Sequence, residues 1–330
     1  MAEAEPFQLQ VVSAVDPVLQ KARLATEKRI AKFEGATKIV QVLNLGAGVQ
    51  SSAVLLMDAM AHRWGRRAEL ETWLGEPYRF DPLDFAVFAD TQDEPGSVAA
   101  HLAKLQAMDT APILTGTAGR LGDDLVSGIH STGQRFAAIP SFTRDVDGVP
   151  SGITKRQCTA EYKVHVCEQI IRREIIGLAH REHFPTDTRI VQSFGLSYDE
   201  PSRIIKVEAR VKATGWATPK FPLNELQLER SDCAAFLATL KIDAPRSACV
   251  FCPYKSNSEW RKMRDQDPES WARAVYVDDK MRSTNSVCTK GLKGTLYVHR
   301  SRLPLAIAPI DEPDSAFFNF GLECEGMCGN

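Results

Sequence analysis

Three groups of residues in this 330-residue chain have the types and spacing that chemistry requires. The first is the loop Asn44-Leu45-Gly46-Ala47-Gly48-Val49-Gln50-Ser51-Ser52. Glycines let a ligand approach the backbone closely, and a following helix offers unpaired N–H groups and the positive end of its dipole. Gly46, Ala47, Gly48, Gln50, Ser51 and Ser52 therefore suit a phosphate or pyrophosphate, with hydroxyls as added donors. The loop lacks the Gly-Lys-Ser/Thr of a Walker loop and does not fit the Rossmann glycine spacing. The second group is Asp90-Thr91-Gln92-Asp93-Glu94, at the end of a short apolar run. Asp90 or Asp93 there could hold Mg²⁺ against a phosphate or contact a ribose; the plainer alternative is helix capping. The third is the cysteines. Cys249-Val250-Phe251-Cys252 is a C-x-x-C, Cys158 lies far upstream, and Cys324 and Cys328 form a C-x-x-x-C near the C-terminus. A lone C-x-x-C supplies either two ligands of a zinc or iron–sulfur site, or a redox dithiol. Cys167 and Cys233 share helix faces with apolar residues and read as core; Cys288 falls in a polar loop.

The elements that must position these groups follow from periodicity. Lys38–Leu45 is a β-branched run, the segment from Ser51 to about Arg63 is helical, and Phe85–Ala89 is a second strand. Val98–Met108 reads as a helix, Pro112–Leu114 and Arg189–Gly195 as strands, and Thr159–Ala179 as a helix. Strands alternating with helices predict an α/β fold, a parallel sheet with helices on both faces. In such sheets ligands sit outside the carboxyl ends of the strands, where the Gly46 loop and Asp90 must then meet. Residues 1–37 read as an N-terminal extension with an amphipathic helix over Val15–Phe33. Residues 38–215 form the main domain, and 216–330 a smaller helical and irregular portion carrying cysteines. The long Gly/Ser/Thr/Asp-rich stretch 116–152 contains Phe136–Phe142, a candidate lid over a substrate.

Composition limits the possibilities. Forty Lys plus Arg against 42 Asp plus Glu give a net charge of −2, with no overall electrostatic footprint for nucleic acid. With 44% apolar and 25% charged residues, the chain has the makings of a globular core. No apolar run approaches the ~20 residues that cross a bilayer. The first ten residues carry no secretory signal, so a cytoplasmic, reducing setting is expected. There, close cysteine spacings point to metal or redox chemistry before disulfides.

Taken in order, these segments resemble the phosphoadenosine-phosphosulfate (PAPS) reductase family within the PP-loop adenine-nucleotide α-hydrolases. Gly46-Ala47-Gly48-Val49-Gln50-Ser51 sits where that group has its Ser-Gly-Gly-x-x-Ser loop. Phe88-Ala89-Asp90-Thr91 is similar to its strand ending in Asp-Thr-Gly. Gln157-Cys158-Thr159 with Tyr162-Lys163 is similar to its cysteine segment, and Gly195-Leu196-Ser197-Tyr198-Asp199-Glu200 to Arg203 to its Gly-x-Arg-x-x-Glu-Ser segment. Pro222-Leu223, Asp232, Pro245 and the C-x-x-C follow the family's second half, and Glu323-Cys324 its Glu-Cys-Gly tail. The resemblance spans about Lys38 to Tyr254 and the last eight residues. It implies an adenine nucleotide, ATP or a relative, at the Gly46 loop, with Gly195 and Glu200 contributing, and Mg²⁺ at Asp90. It also implies a 4Fe-4S cluster (zinc being the alternative) on Cys158, Cys249 and Cys252; a fourth thiolate could come from Cys324 or Cys328, or one iron is left open.

The chain departs from the family at Gly46, where it has Ser, and at Gln50, where the ATP pyrophosphatases have Asp. It also has a single Cys158 in place of a Cys-Cys pair. Three functional expectations follow. One is adenylation at the α-phosphate followed by sulfur transfer to a small molecule, tRNA or DNA, with a sulfur donor or thiol reductant as partner. The second is a sulfonucleotide reductase in which Cys324 or Cys328 is the nucleophile. The third is a non-catalytic, nucleotide-binding or zinc-stabilised subunit of a nucleic-acid modification or defence complex. A homodimer is compatible with all three.

Overall fold

The computed structural model describes residues 36–127, 139–154, 156–283 and 294–314. Its centre is a five-stranded parallel sheet. In chain order the elements are β1 (Lys38–Asn44), α1 (Val49–His62), α2 (Arg67–Leu74), β2 (Phe85–Asp90), α3 (Gly96–Gln106), β3 (Ile113–Thr117) and α4 (Leu121–Ser127). Two short strands follow, β4 (Phe142–Arg144) and β5 (Pro150–Ile153). Next comes a helical stretch of wide-turned Ala160–Val164, α5 (His165–Ile170) and wide-turned Ile171–Ile175. Then come β6 (Thr188–Phe194), α6 (Pro201–Thr214), β7 (Ala217–Lys220), α7 (Pro222–Glu225), α8 (Arg230–Thr239), α9 (Asn257–Gln266), α10 (Pro268–Arg282) and β8 (Thr295–Tyr297).

The parallel sheet runs β3-β2-β1-β6-β7, and a small antiparallel sheet runs β5-β4-β8. The expected α/β architecture is thus the observed one. The central strands read as apolar because both their faces are covered. Side chains alternate across the sheet, so Val40, Val42, Val87 and Ile190 join one core with Val166, Ile170 and Val211. Leu43, Leu45 and Ala86 join the other with Leu55, Leu56, Phe236 and Leu237. A third core holds Tyr162, Phe251, Trp260, Val277 and Leu296 together.

The sheet extends past the boundary expected at residue 216. β7 begins at Ala217, pairs with β6 in parallel, and completes the fifth position. Leu223, Phe236 and Leu237, in the segment expected to be separate, pack in the same core as α1. The strand order turns at β1: β2 and β3 are laid down on one side and β6 and β7 on the other. The order reverses between β1 and β6, and the carboxyl ends of the strands at such a switch point are where doubly wound sheets take their ligands. No helix among the described residues is long and apolar enough to cross a membrane. The helix expected over Val15–Phe33 lies outside the described residues.

Candidate functional site

The loop after β1 enters α1 through Gly48, which has extended backbone and no side-chain cap. The first turn of α1 carries no acidic residue of its own. Ala47 adopts φ +54, a left-handed conformation that non-glycine residues seldom take. Gln92, in the loop after β2, does the same at φ +58. Both conformations occur in loops at the carboxyl edge, where backbone strain is commonly stored.

The serines expected to offer hydroxyls are turned inward. Ser51 Oγ accepts the Gly46 N–H at 3.1 Å, and Ser52 Oγ lies 2.9 Å from His101 Nε2; both serines are fully buried. Burial, reinforced by Lys104, holds the His101 imidazole pKa below its ordinary value, so the ring is neutral at pH 7. What the loop presents outward is therefore backbone.

Gln50 carries the polar connection across the crevice. Its amide nitrogen donates to Ser197 Oγ and to Glu200 Oε2, both at 2.6 Å, and its carbonyl oxygen accepts from Arg230 at 3.3 Å. Glu200 also accepts from the Ser197 N–H and hydroxyl, and pairs with Arg203. The Gly46 loop and the Gly195–Glu200 segment, widely separated in sequence, thus meet across the β1/β6 boundary. Arg230 is a member of this network that the sequence reading did not single out.

Asp90 ends β2, one strand over from the crevice. Its Oδ1 accepts the Gln92 N–H at 2.7 Å, and the residue is only partly buried. Asp93 does something different. Its carboxylate accepts from Arg273 Nε at 2.8 Å, from Arg120 at 3.3 Å and from the Gly122 N–H at 2.6 Å. Two guanidiniums and an amide occupy it, so it ties α4 and α10 to the β2 loop and has no place for Mg²⁺. A Cβ at Gly122 would fall 2.8 Å from Asp93 Oδ2 and 2.6 Å from Arg273, so the clamp requires glycine there.

Beyond the β2 loop lies a cavity walled by Cys158, Cys249 and Cys252 together with Thr91, Arg156 and Lys163. Three segments far apart in sequence bring these thiols to one space. Cys249 and Cys252 sit on a single turn closed by the Cys252 N–H to the Cys249 carbonyl at 3.0 Å. The Val250 N–H bonds the Asp93 carbonyl at 2.8 Å, anchoring this turn to the β2 loop. Thr91 Oγ1 lies 3.3 Å from Cys249 Sγ, and the Cys249 thiol reaches Glu94 Oε1 at 3.8 Å. Glu94 pairs with Lys163 at 3.0 Å, and both side chains are almost fully buried (5% and 4% exposed). Its other oxygen, Oε2, is buried without a hydrogen-bond partner. Glu94 read in the sequence as a cap; the ion pair joining it to Lys163 is a product of the fold. Ile139 and Pro140, from the candidate lid segment, border this cavity, while Phe136–Ala138 lie outside the described residues.

Thiols are the donors that iron–sulfur clusters and zinc require, and nearby cations favour their anionic form. Cys158, Cys249 and Cys252 fit that donor chemistry. Among the described residues, however, no three Cys, His, Asp or Glu side chains are already drawn together as a metal site. Cys324 and Cys328, expected as ligand or nucleophile, lie outside the described residues, as does Cys288. Cys167 and Cys233 are buried, and burial pushes the Cys167 thiol up to about 12, as for an inert core cysteine.

The fold and site together define an α/β protein with a doubly wound parallel sheet. A polar-bridged crevice lies at its switch point, and a thiol-lined cavity one strand away. No family model, curated protein or solved structure matches the chain.

Proposed function

We propose that the chain is a PP-loop enzyme of the PAPS-reductase-like kind. It binds ATP or a related adenine nucleotide between β1 and β6 and acts at the α-phosphate, in the service of sulfur transfer or thiolation. The observation that carries this reading is the Gln50 bridge to Ser197 and Glu200 at the switch point. It fixes two ligand-facing loops against each other beside the thiol cavity.

In this reading the backbone N–H groups of Gly48–Gln50, at the start of α1, orient the phosphates and stabilise charge developing on them, since preorganised donors need no rearrangement during reaction. Ser51 and Ser52 hold the loop in shape from beneath. Asp90 would hold Mg²⁺, which would neutralise phosphate charge. Cys158, Cys249 and Cys252 would hold an iron–sulfur cluster, which when bound supplies electron-transfer or sulfur-binding chemistry. Lys163 and Arg156 place positive charge on the same cavity wall and attract an anionic sulfur or phosphate group.

The test is product analysis with ATP. Formation of AMP and pyrophosphate is expected, together with a fall in turnover of at least about tenfold in Gln50→Ala. Release of ADP and phosphate, or no nucleotide binding by wild-type protein, overturns the reading.

A further inference from the structure

A second groove lies outside both the crevice and the thiol cavity. It is bounded by α3, the segment Asp243–Arg246 and α9, and Lys255 lines it. Lys255 is only 6% exposed. Among the described residues its ammonium has no hydrogen-bond or ion-pair partner; the nearest specific contact is the Trp260 ring, 5.9 Å to its centre. Of the groove's carboxylates, Asp243 is exposed to solvent and the other two are committed. Glu259 is held by Arg246 at 2.6 Å and by the Ser256 N–H, and Asp267 accepts the Ser270 N–H to cap α10. Exposed Lys104 and Lys262 stand along the same groove.

Taking an ammonium out of water without a bonded counter-charge is expensive, and proteins keep such groups where a ligand or partner completes them. We propose that this groove binds a tetrahedral oxyanion, the phosphate or sulfate group of a small ligand, with Lys255 as its buried contact and Lys104 and Lys262 guiding entry. The placement gives the ligand reach to both halves of the molecule. His101, on the same groove, bonds Ser52 of the Gly46 loop, and Lys255 follows Cys252 by three residues. Burial holds the Lys255 pKa below its ordinary value, and Cys252 and Glu259 oppose that shift. A bound dianion would oppose it further. The proposal stands independently of whether the crevice takes a nucleotide.

The experiment is titration of the full chain with inorganic phosphate, and with sulfate in parallel, by isothermal calorimetry. Saturable one-to-one binding of either ion is expected. Lys255→Met should weaken it at least about tenfold, the effect of losing a charged hydrogen bond. The same variant should unfold at an equal or higher temperature, because an unpaired buried charge becomes an apolar chain. The exposed pair Lys104→Gln/Lys262→Gln, which leaves the core untouched, should weaken binding by a smaller factor, more so at low salt. Absence of binding to wild-type protein at millimolar anion overturns the proposal. So does binding that neither Lys255→Met nor the double variant changes.

Discussion

The β1/β6 crevice and the thiol cavity sit on neighbouring strands, yet they are held by different forces. The β1/β6 boundary is bridged by one neutral amide, Gln50, set among charged partners, and its loops follow directly from strands of the main sheet. The cavity is assembled from three distant segments and secured by buried charge. The Lys163–Glu94 pair lies beside Cys249, and the Arg273–Asp93 clamp lies beneath the turn bearing Cys249 and Cys252. Removing a neutral amide such as Gln50 leaves Glu200 paired with Arg203, whereas a buried charge that loses its counter-charge is strongly destabilising. The crevice should therefore tolerate substitution better than the cavity.

The largest expected effect separates the two regions outright. Cys249→Ser/Cys252→Ser should reduce protein-bound iron to background while leaving ATP affinity within about twofold of wild type, since the cysteines lie outside the crevice. Parallel iron assays and nucleotide calorimetry check this. Equal loss of both would mean that the regions form one inseparable site.

Next comes the buried pair. Lys163→Met leaves Glu94 charged without its counter-charge, and should cost about 3–5 kcal/mol in urea unfolding. Adding Glu94→Gln should recover much of the loss. If the single variant is as stable as wild type, the pair does not secure the cavity.

Two buried titratable groups outside both regions oppose each other in pH. On α1, Asp58 accepts the Leu83 N–H, its second oxygen is unpartnered, and burial raises its pKa from 3.8 to about 6. The folded state thus keeps a proton that the unfolded chain releases. The associated stability is complete below pH 3.8 and is lost as pH rises to about 6. In the C-terminal packing, His299 bonds Asn257 and Ser301, and burial lowers its pKa from 6.5 to about 4. Its contribution is complete above pH 6.5 and is lost as pH falls towards 4. Each amounts to about 3 kcal/mol, so between pH 4 and 6 wild-type stability should be nearly flat with respect to these two groups. Asp58→Asn should uncover a stability that rises with pH, and His299→Gln one that falls. Denaturation across pH 4–7 gives both slopes, and identical profiles in the two variants would refute the assignment.

The smallest effect belongs to the crevice. Gln50→Ala should cost about 1–2 kcal/mol in folding stability, through the lost bonds to Ser197, Glu200 and Arg230. A loss as large as that of Lys163→Met would erase the contrast between the regions.

The same contrast explains what could be read from the chain. β1, β2 and β6 were legible because strands covered on both faces carry largely apolar runs, here broken by glycine and acidic turns, and edge strand β3 by its short run before Gly116. β7 was not: Ala217–Lys220 is four residues long, contains Pro219 and lies at the sheet edge, where proline is tolerated. The small sheet escaped because three-residue β8 pairs with β4 across about 150 residues of sequence. At the site, loop positions followed from strand ends, but the bonds of Gln50 to Ser197 and Glu200 did not. The inward turn of Ser51 and Ser52, the capture of Asp93 by Arg273 and the pairing of Glu94 with Lys163 depend on tertiary neighbours that no local pattern encodes.

The central claim joins a nucleotide crevice to a cluster-bearing cavity, and metal analysis tests it most directly. Protein purified without oxygen should contain about four irons and about four acid-labile sulfides per chain. One zinc per chain with no sulfide would contradict the account, leaving Cys158, Cys249 and Cys252 as structural ligands only.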